Sequence, residues 1–120
     1  MAAGDLLNYS IKQPVQPLSE ALARNLLKQI CAGVKGLHAN DIIHRDLKLE
    51  NILMSDFKET ATARIADFGS ATKLSSPDAK INFCIGTPGY TAPEIIQGLP
   101  YGKTVDVWSI GCLMHVLLTA

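Results

Sequence analysis

Val105–Ala120 is the stretch that leaves the fewest architectures open. Apolar side chains there cover nearly the whole circumference of a helix, and Thr104 is placed to cap it. Such a helix expects burial on every side. It is no membrane span, because Asp106, Ser109 and His115 interrupt it and it falls short of the ~18 apolar residues a bilayer requires. Other elements must therefore wrap around it. The clearest is a long amphipathic helix in which Leu22, Leu26, Ile30, Val34 and Leu37 form one apolar stripe. Ser19 suits its N-cap, Glu20 suits the positive end of its dipole, and it ends near Asn40-Asp41. Gly4–Ile11 can form one or two further turns, and Pro14–Pro17 reads as a stiff linker.

The remaining elements are short. Ile42-Ile43 and Ile52–Met54 are apolar runs bounded by polar turns, which read as brief strands. Ala63–Ala66 alternates and is expected to pair with Ile52–Met54 across the polar turn Ser55–Thr62. Asp67–Thr91 has Gly, Ser, Pro and Thr but no period, and reads as a long functional loop. The expected class is mainly α, with a short β-hairpin. Trp108 and Met114 are expected in the core. Lys12, Lys28, Lys35 and Lys58 are expected to be solvated charges.

Composition excludes some functions. Lys and Arg number 11 against 11 Asp and Glu, so no net charge draws the chain to nucleic acid or an anionic membrane surface. At 18% charged residues it lies below the ~25% of an average soluble domain, and it is too apolar to be disordered. Cys31, Cys84 and Cys112 are widely spread, with no CxxC, which suggests free thiols in a reducing compartment. No signal-peptide pattern opens the sequence, so a soluble cytoplasmic or nuclear protein is the expectation. The last helical pattern stops without Gly or Pro, which leads us to expect part of a larger domain.

The chemistry concentrates in His44-Arg-Asp-Leu-Lys-Leu-Glu-Asn51, a tight polar strip between apolar runs. Asp46 offers a carboxylate that can take a hydroxyl proton, Lys48 a cation for a transferring phosphoryl group, and Asn51 a hard oxygen for Mg²⁺. Asp67-Phe68-Gly69 follows a predicted strand and brings a second hard carboxylate, with Gly69 easing a sharp turn. Two oxygen ligands from separate segments suit Mg²⁺ on nucleotide phosphates.

In this order, HRDLKLEN, DFG, Ala92-Pro93-Glu94 and Asp106-Val-Trp-Ser-Ile-Gly111 resemble the eukaryotic serine/threonine protein kinase catalytic domain. The resemblance implies a partial kinase fold over residues 1–120, α+β in the parent. It covers the large lobe from the helix after the hinge to the sixth helix, with its activation segment. The small lobe and the last helices are absent from this sequence. It implies ATP and Mg²⁺ as cofactors and a protein substrate.

By position, Asp46 matches the catalytic base, Lys48 the γ-phosphate contact, and Asn51 and Asp67 the metal ligands. Arg45 would hold the activation segment, and Thr87 would hydrogen-bond Asp46 and Lys48. Leu53 would lie under the adenine. His44 and Phe68, with Gly69 behind them, would give structural support. Asp106 would tie the catalytic loop's backbone to the last helix, and Glu94 would need a partner outside these residues. Glu50 and Asp5 match acidic positions that read basic residues upstream of the phosphoacceptor. Gly86-Thr87-Pro88-Gly89-Tyr90 is closest in spelling to the calcium/calmodulin-dependent and AMP-activated group.

Some family elements are missing. No G-x-G-x-x-G loop and no V-A-I-K strand lysine occur, and Gly33 and Gly36 lie inside the long helix. Without them the phosphates lose their main cationic clamp, so the chain alone is expected to be inactive. Helix faces that the missing parts would cover are expected to lie partly bare. Phe83 stands four residues before Thr87, where many kinases carry a phosphothreonine, leaving Thr72, Ser75 and Ser76 as candidates for modification. Two other readings stay open: a non-catalytic, kinase-like interaction module, and a small-molecule phosphotransferase.

Overall fold

The computed structural model describes residues 4–14 and 16–119. Val15 of the expected linker and Ala120 of the apolar run lie outside the described residues. Asp5 opens the first helix, α1 (Leu6–Ile11), by accepting from the Asn8 amide at 2.9 Å. Ser19 caps α2 (Glu20–Ala39) in the same way, accepting from Leu22 N at 3.2 Å. The predicted stripe faces inward, with Leu26, Ile30 and Val34 buried. The helix stops at Asn40, and Asp41 turns the chain out in the left-handed region at φ 59°.

Four short strands follow: β1 (Ile42–Ile43), β2 (Ile52–Met54), β3 (Ala63–Ile65) and β4 (Thr72–Lys73). β2 and β3 form the expected antiparallel hairpin, with Ile52 opposite Ile65 and Met54 opposite Ala63. The Gln29 side chain of α2 clips the hairpin's open edge, accepting from Ala63 N at 2.8 Å and donating to Ala61 O at 3.3 Å. The Asp67–Thr91 segment is not loop throughout. It contains a 3-10 turn (Phe68–Ser70), and β4 within it pairs antiparallel with β1, Ile42 opposite Lys73. An isolated bridge also ties Ile81 to Tyr101. Pairs this short have no readable period and form because the partner strand is already in place.

The last two helices are α3 (Pro93–Ile96) and α4 (Thr104–Thr119), with Thr104 as the first helical residue of α4. α4 packs on α2. One core joins α1, α2, the hairpin and α4 through Leu6, Tyr9, Leu26, Ile52, Leu113 and Leu117. A smaller one gathers Ile43, Leu74, Ile95, Tyr101 and Val105.

Burial of α4 on every side is not what the structure shows. Val107, Trp108 and Met114 are exposed, Trp108 by 50%, because packing covers one side only among the described residues. The expected core positions of Trp108 and Met114 are therefore corrected to surface ones. No described helix is long and apolar enough to cross a membrane.

Candidate active site

The strip after β1 is anchored by side chains sunk into the core. His44, Leu47 and Leu49 are buried, and a 3-10 turn (Leu49–Asn51) closes the loop. Asp46, Lys48 and Asn51 are left to converge. The loop's entry is tied to α4. Asp106, fully buried, accepts from His44 N and Arg45 N, one at each carboxylate oxygen, both at 2.9 Å. Its third partner is His38 Nε2 at 2.9 Å, from the last turn of α2. His38 escaped the sequence reading, although a buried carboxylate in an apolar helix demands several donors.

Asp46 is oriented by the activation segment. Thr87 Oγ1 donates to Asp46 Oδ1 at 2.5 Å and accepts from Lys48 Nζ at 2.9 Å. One hydroxyl thus fixes both the carboxylate and the ammonium. Asp46 Oδ2 has only looser neighbours, Asn51 Nδ2 at 3.5 Å and Lys48 Nζ at 3.8 Å. It is the oxygen with capacity to accept a proton. Nearby, burial first and the Glu50 carboxylate second push the Tyr90 phenol pKa above its ordinary value, so Tyr90 stays a neutral phenol here.

Asn51 Nδ2 donates to the Asp46 carbonyl at 2.7 Å, which commits its nitrogen and leaves its amide oxygen as the atom that could face a metal. Ala66 N donates to Asn51 O at 2.8 Å, setting the Asp67 turn beside the loop. Asp67 sits at φ 55°, ψ 80°, and its Oδ1 accepts from Gly69 N at 3.2 Å. A left-handed non-glycine residue costs roughly 1–2 kcal/mol, and here the side-chain bond to Gly69 holds it. An amide oxygen and a carboxylate fit Mg²⁺, which keeps several waters and needs few protein ligands. Among the described residues no cluster of three or more His, Cys, Asp or Glu could hold a metal by itself.

His44 Nε2 bonds the Ala66 carbonyl at 2.9 Å, while its Nδ1 accepts from Asp46 N at 3.2 Å. These partners fix the Nε2–H tautomer and give the imidazole a structural place. Phe68 meets the His44 ring edge-on, centroids 5.4 Å apart, though half of Phe68 is exposed. Arg45, at φ 71°, donates through Nε to Ser70 O at 2.6 Å and through Nη1 to the Tyr101 hydroxyl at 3.2 Å. Tyr101 was also not singled out from the sequence.

Other candidates stand apart. Asp5 caps α1 and bridges through its backbone to Leu53, which is half-buried on β2. Glu50 is exposed. Glu94 lines an apolar groove with Val107, Trp108 and Cys112, and no hydrogen bond or ion pair of its carboxylate occurs among the described residues.

The sequence matches the protein kinase domain family over residues 1–120. The chain belongs to that family. It is 42% identical over 115 residues to serine/threonine-protein kinase PLK4 of Drosophila willistoni, covering 96% of this chain and 14% of that protein. The protein of the same name from Nematostella vectensis is 46% identical over 111 residues, covering 92% of this chain and 11% of its own length. The D. melanogaster protein is 40% identical over 115 residues, again 96% and 14%. The kinase domain segment thus spans about one seventh or less of these relatives. They carry the PLK4 name, and the calcium/calmodulin-dependent and AMP-activated grouping finds no support in them. Five residues around Thr87 are too few to carry such a grouping.

Proposed function

We propose that the protein carrying this segment transfers the γ-phosphoryl group of ATP to serine or threonine hydroxyls of proteins, as a PLK4-like kinase. The observation that supports this best is the Asp46–Thr87–Lys48 relay, which joins the catalytic loop to the segment on which a peptide would rest. The substrate hydroxyl gives its proton to Asp46 Oδ2 as its oxygen bonds phosphorus and the bond to ADP breaks. Lys48 offsets negative charge on the transferring group. Asn51 and Asp67 would hold Mg²⁺, which would supply neutralisation of phosphate charge. No Gly-rich loop and no strand lysine of the kind that clamps a polyphosphate occurs within these 120 residues, so the proposal is made for the full-length protein. Leu53 contributes an apolar surface for the base. The exposed Glu50 carboxylate favours substrates with basic residues before the acceptor, and a peptide array would display that bias.

The test is phosphotransfer from ATP·Mg²⁺ to serine and threonine peptides by the full-length protein. Asp46→Asn should lower the rate about 10²–10⁴-fold with an unchanged urea midpoint. Retained activity in that variant would overturn the assignment. The interaction-module reading keeps one observation in its favour, the bare Val107, Trp108 and Met114 face. A fully inactive wild-type protein that still binds partners through that face would establish it. A small-molecule phosphotransferase is the weaker reading, because the matching family is that of protein kinases.

A further inference from the structure

Arg45 is half-buried and has no carboxylate partner among the described residues. Neutral groups hold it instead: the Ser70 carbonyl, the Tyr101 hydroxyl, and the ring of Phe83, whose centroid lies 6.0 Å from the guanidinium carbon. Tyr101 is the member of this set fixed most firmly. Its ring is buried at 2% exposure. Its backbone exchanges both hydrogen bonds with Ile81, Tyr101 N to Ile81 O at 2.8 Å and Ile81 N to Tyr101 O at 2.9 Å. The hydroxyl that results is aimed at two places at once. It accepts from Arg45 and donates to the Phe83 carbonyl at 2.6 Å. A phenol polarised by a guanidinium is a stronger donor, so each bond reinforces the other.

The consequence is geometric. Arg45 holds the first arm of the activation segment at Ser70, and Tyr101 holds the second at Ile81 and Phe83. Phe83 lies four residues before Thr87, the hydroxyl that orients Asp46. Phe83 itself is 62% exposed, so its own side chain has little packing with which to keep it in place. We propose that Tyr101 is a positioning residue: its hydroxyl, acting through Arg45 and the Phe83 carbonyl, sets the path of the activation segment and so the Thr87–Asp46 contact, with no anionic partner required. Its catalytic consequence rests on the kinase reading above, whereas its conformational consequence does not.

The test is Tyr101→Phe in the full-length protein, which removes one oxygen and keeps the packed ring. Amide hydrogen exchange over residues 81–90, where Ile81 N and Tyr90 N donate hydrogen bonds, should accelerate about tenfold, the loss expected for a hydrogen bond to a charged group. Exchange at Leu26 and Ile30 in α2 should be unchanged. In phosphotransfer, kcat should fall about tenfold while KM for ATP stays the same. Phe83→Ala, which keeps the carbonyl but removes the ring, should accelerate the same amides only two- to fivefold. Unchanged exchange over 81–90 in Tyr101→Phe overturns the proposal, as does equal acceleration in α2, which would make Tyr101 a general packing residue. Local acceleration in a protein whose wild type transfers no phosphate would instead refute the kinase reading and leave the positioning role standing.

Discussion

Replacing Asp106 by Asn probes the buried post on which the catalytic loop stands. The wild-type carboxylate serves three donors, Arg45 N at Oδ1 and both His44 N and His38 Nε2 at Oδ2, each at 2.9 Å. The amide keeps one oxygen, and the cheaper orientation places it where Oδ2 was, retaining two donors. Its NH2 then faces Arg45 N–H, leaving a buried donor unpaired at about 1–3 kcal/mol. The two retained bonds lose their charge assistance, which roughly halves them. Together the loss comes to about 3 kcal/mol, a large share of the ~5–15 kcal/mol that stabilises a typical domain. With a urea slope near 2 kcal/mol per molar, the midpoint should drop by about 1.5 M.

Trp108 is the chain's single tryptophan and stands two residues from Asp106 on the same helix, so its fluorescence reports the transition directly. His38→Ala combined with Asp106→Asn should cost less than the sum of the two, because they share one bond. A midpoint shift below ~0.3 M, or strict additivity with His38→Ala, would refute the reasoning. It would mean that solvent reaches the loop entry and replaces the carboxylate.

Other consequences can be checked with smaller changes. Gly36 lies within α2, is exposed, and has nothing within 4 Å of an added Cβ; Gly36→Ala should therefore stabilise by about 0.5–1 kcal/mol, visible as a Tm raised by a few degrees. Burial raises the pKa values of Tyr9 and Tyr90 above the ordinary 10.0. The folded state thus holds these protons more tightly than the unfolded chain. The stability they contribute is complete below pH ~10 and falls as pH rises through the folded values, so the urea midpoint should decline above that pH, and phenolate absorbance appearing at ordinary values would refute this. Ser75 and Ser76 are exposed; changing both to Ala should leave stability within ~0.5 kcal/mol and phosphotransfer unaltered, and abolished activity would show that the segment needs their modification.

The parts of the fold readable from sequence are those whose signal is local. The α2 stripe repeats over five apolar residues, Ser19 is a capping side chain at the right place, and the β2–β3 turn separates two short apolar runs. The β1–β4 pair was not readable, since Ile42 and Lys73 are brought together only by the fold around them. In the site, Asp46, Lys48, Asn51 and Thr87 share a recognisable motif pattern, and the structure sets them within hydrogen-bonding reach of one another. His38, Ser70 and Tyr101 had no such flag: Ser70 acts through its carbonyl, and an isolated His or Tyr is usually structural. Only the geometry of Asp106 and Arg45 singles them out.

Helix α4 explains why hydropathy alone misjudged its own surroundings. Its buried face carries the polar Asp106 and Ser109 beside Val105, Leu113 and Leu117, while Val107 and Trp108 are exposed. Turning the helix by about one residue, ~100°, would cover Trp108 but carry the buried Leu113 to the exposed position of Met114, so apolar burial roughly cancels. The same turn would withdraw the Asp106 carboxylate from His44 N, Arg45 N and His38, and Ser109 Oγ from the Tyr90 carbonyl it meets at 2.8 Å. Losing three hydrogen bonds to a charged group costs about 4.5 kcal/mol even at the lower bound of ~1.5 kcal/mol for each. The polar terms win, so the rotation of α4 is set by satisfied hydrogen bonds and not by where its largest apolar side chain would prefer to be. Among the described residues no buried side-chain nitrogen or oxygen lacks a partner, so the two polar positions on this buried face are satisfied. The same bonds that fix its rotation place His44 and Arg45, and through them Asp46.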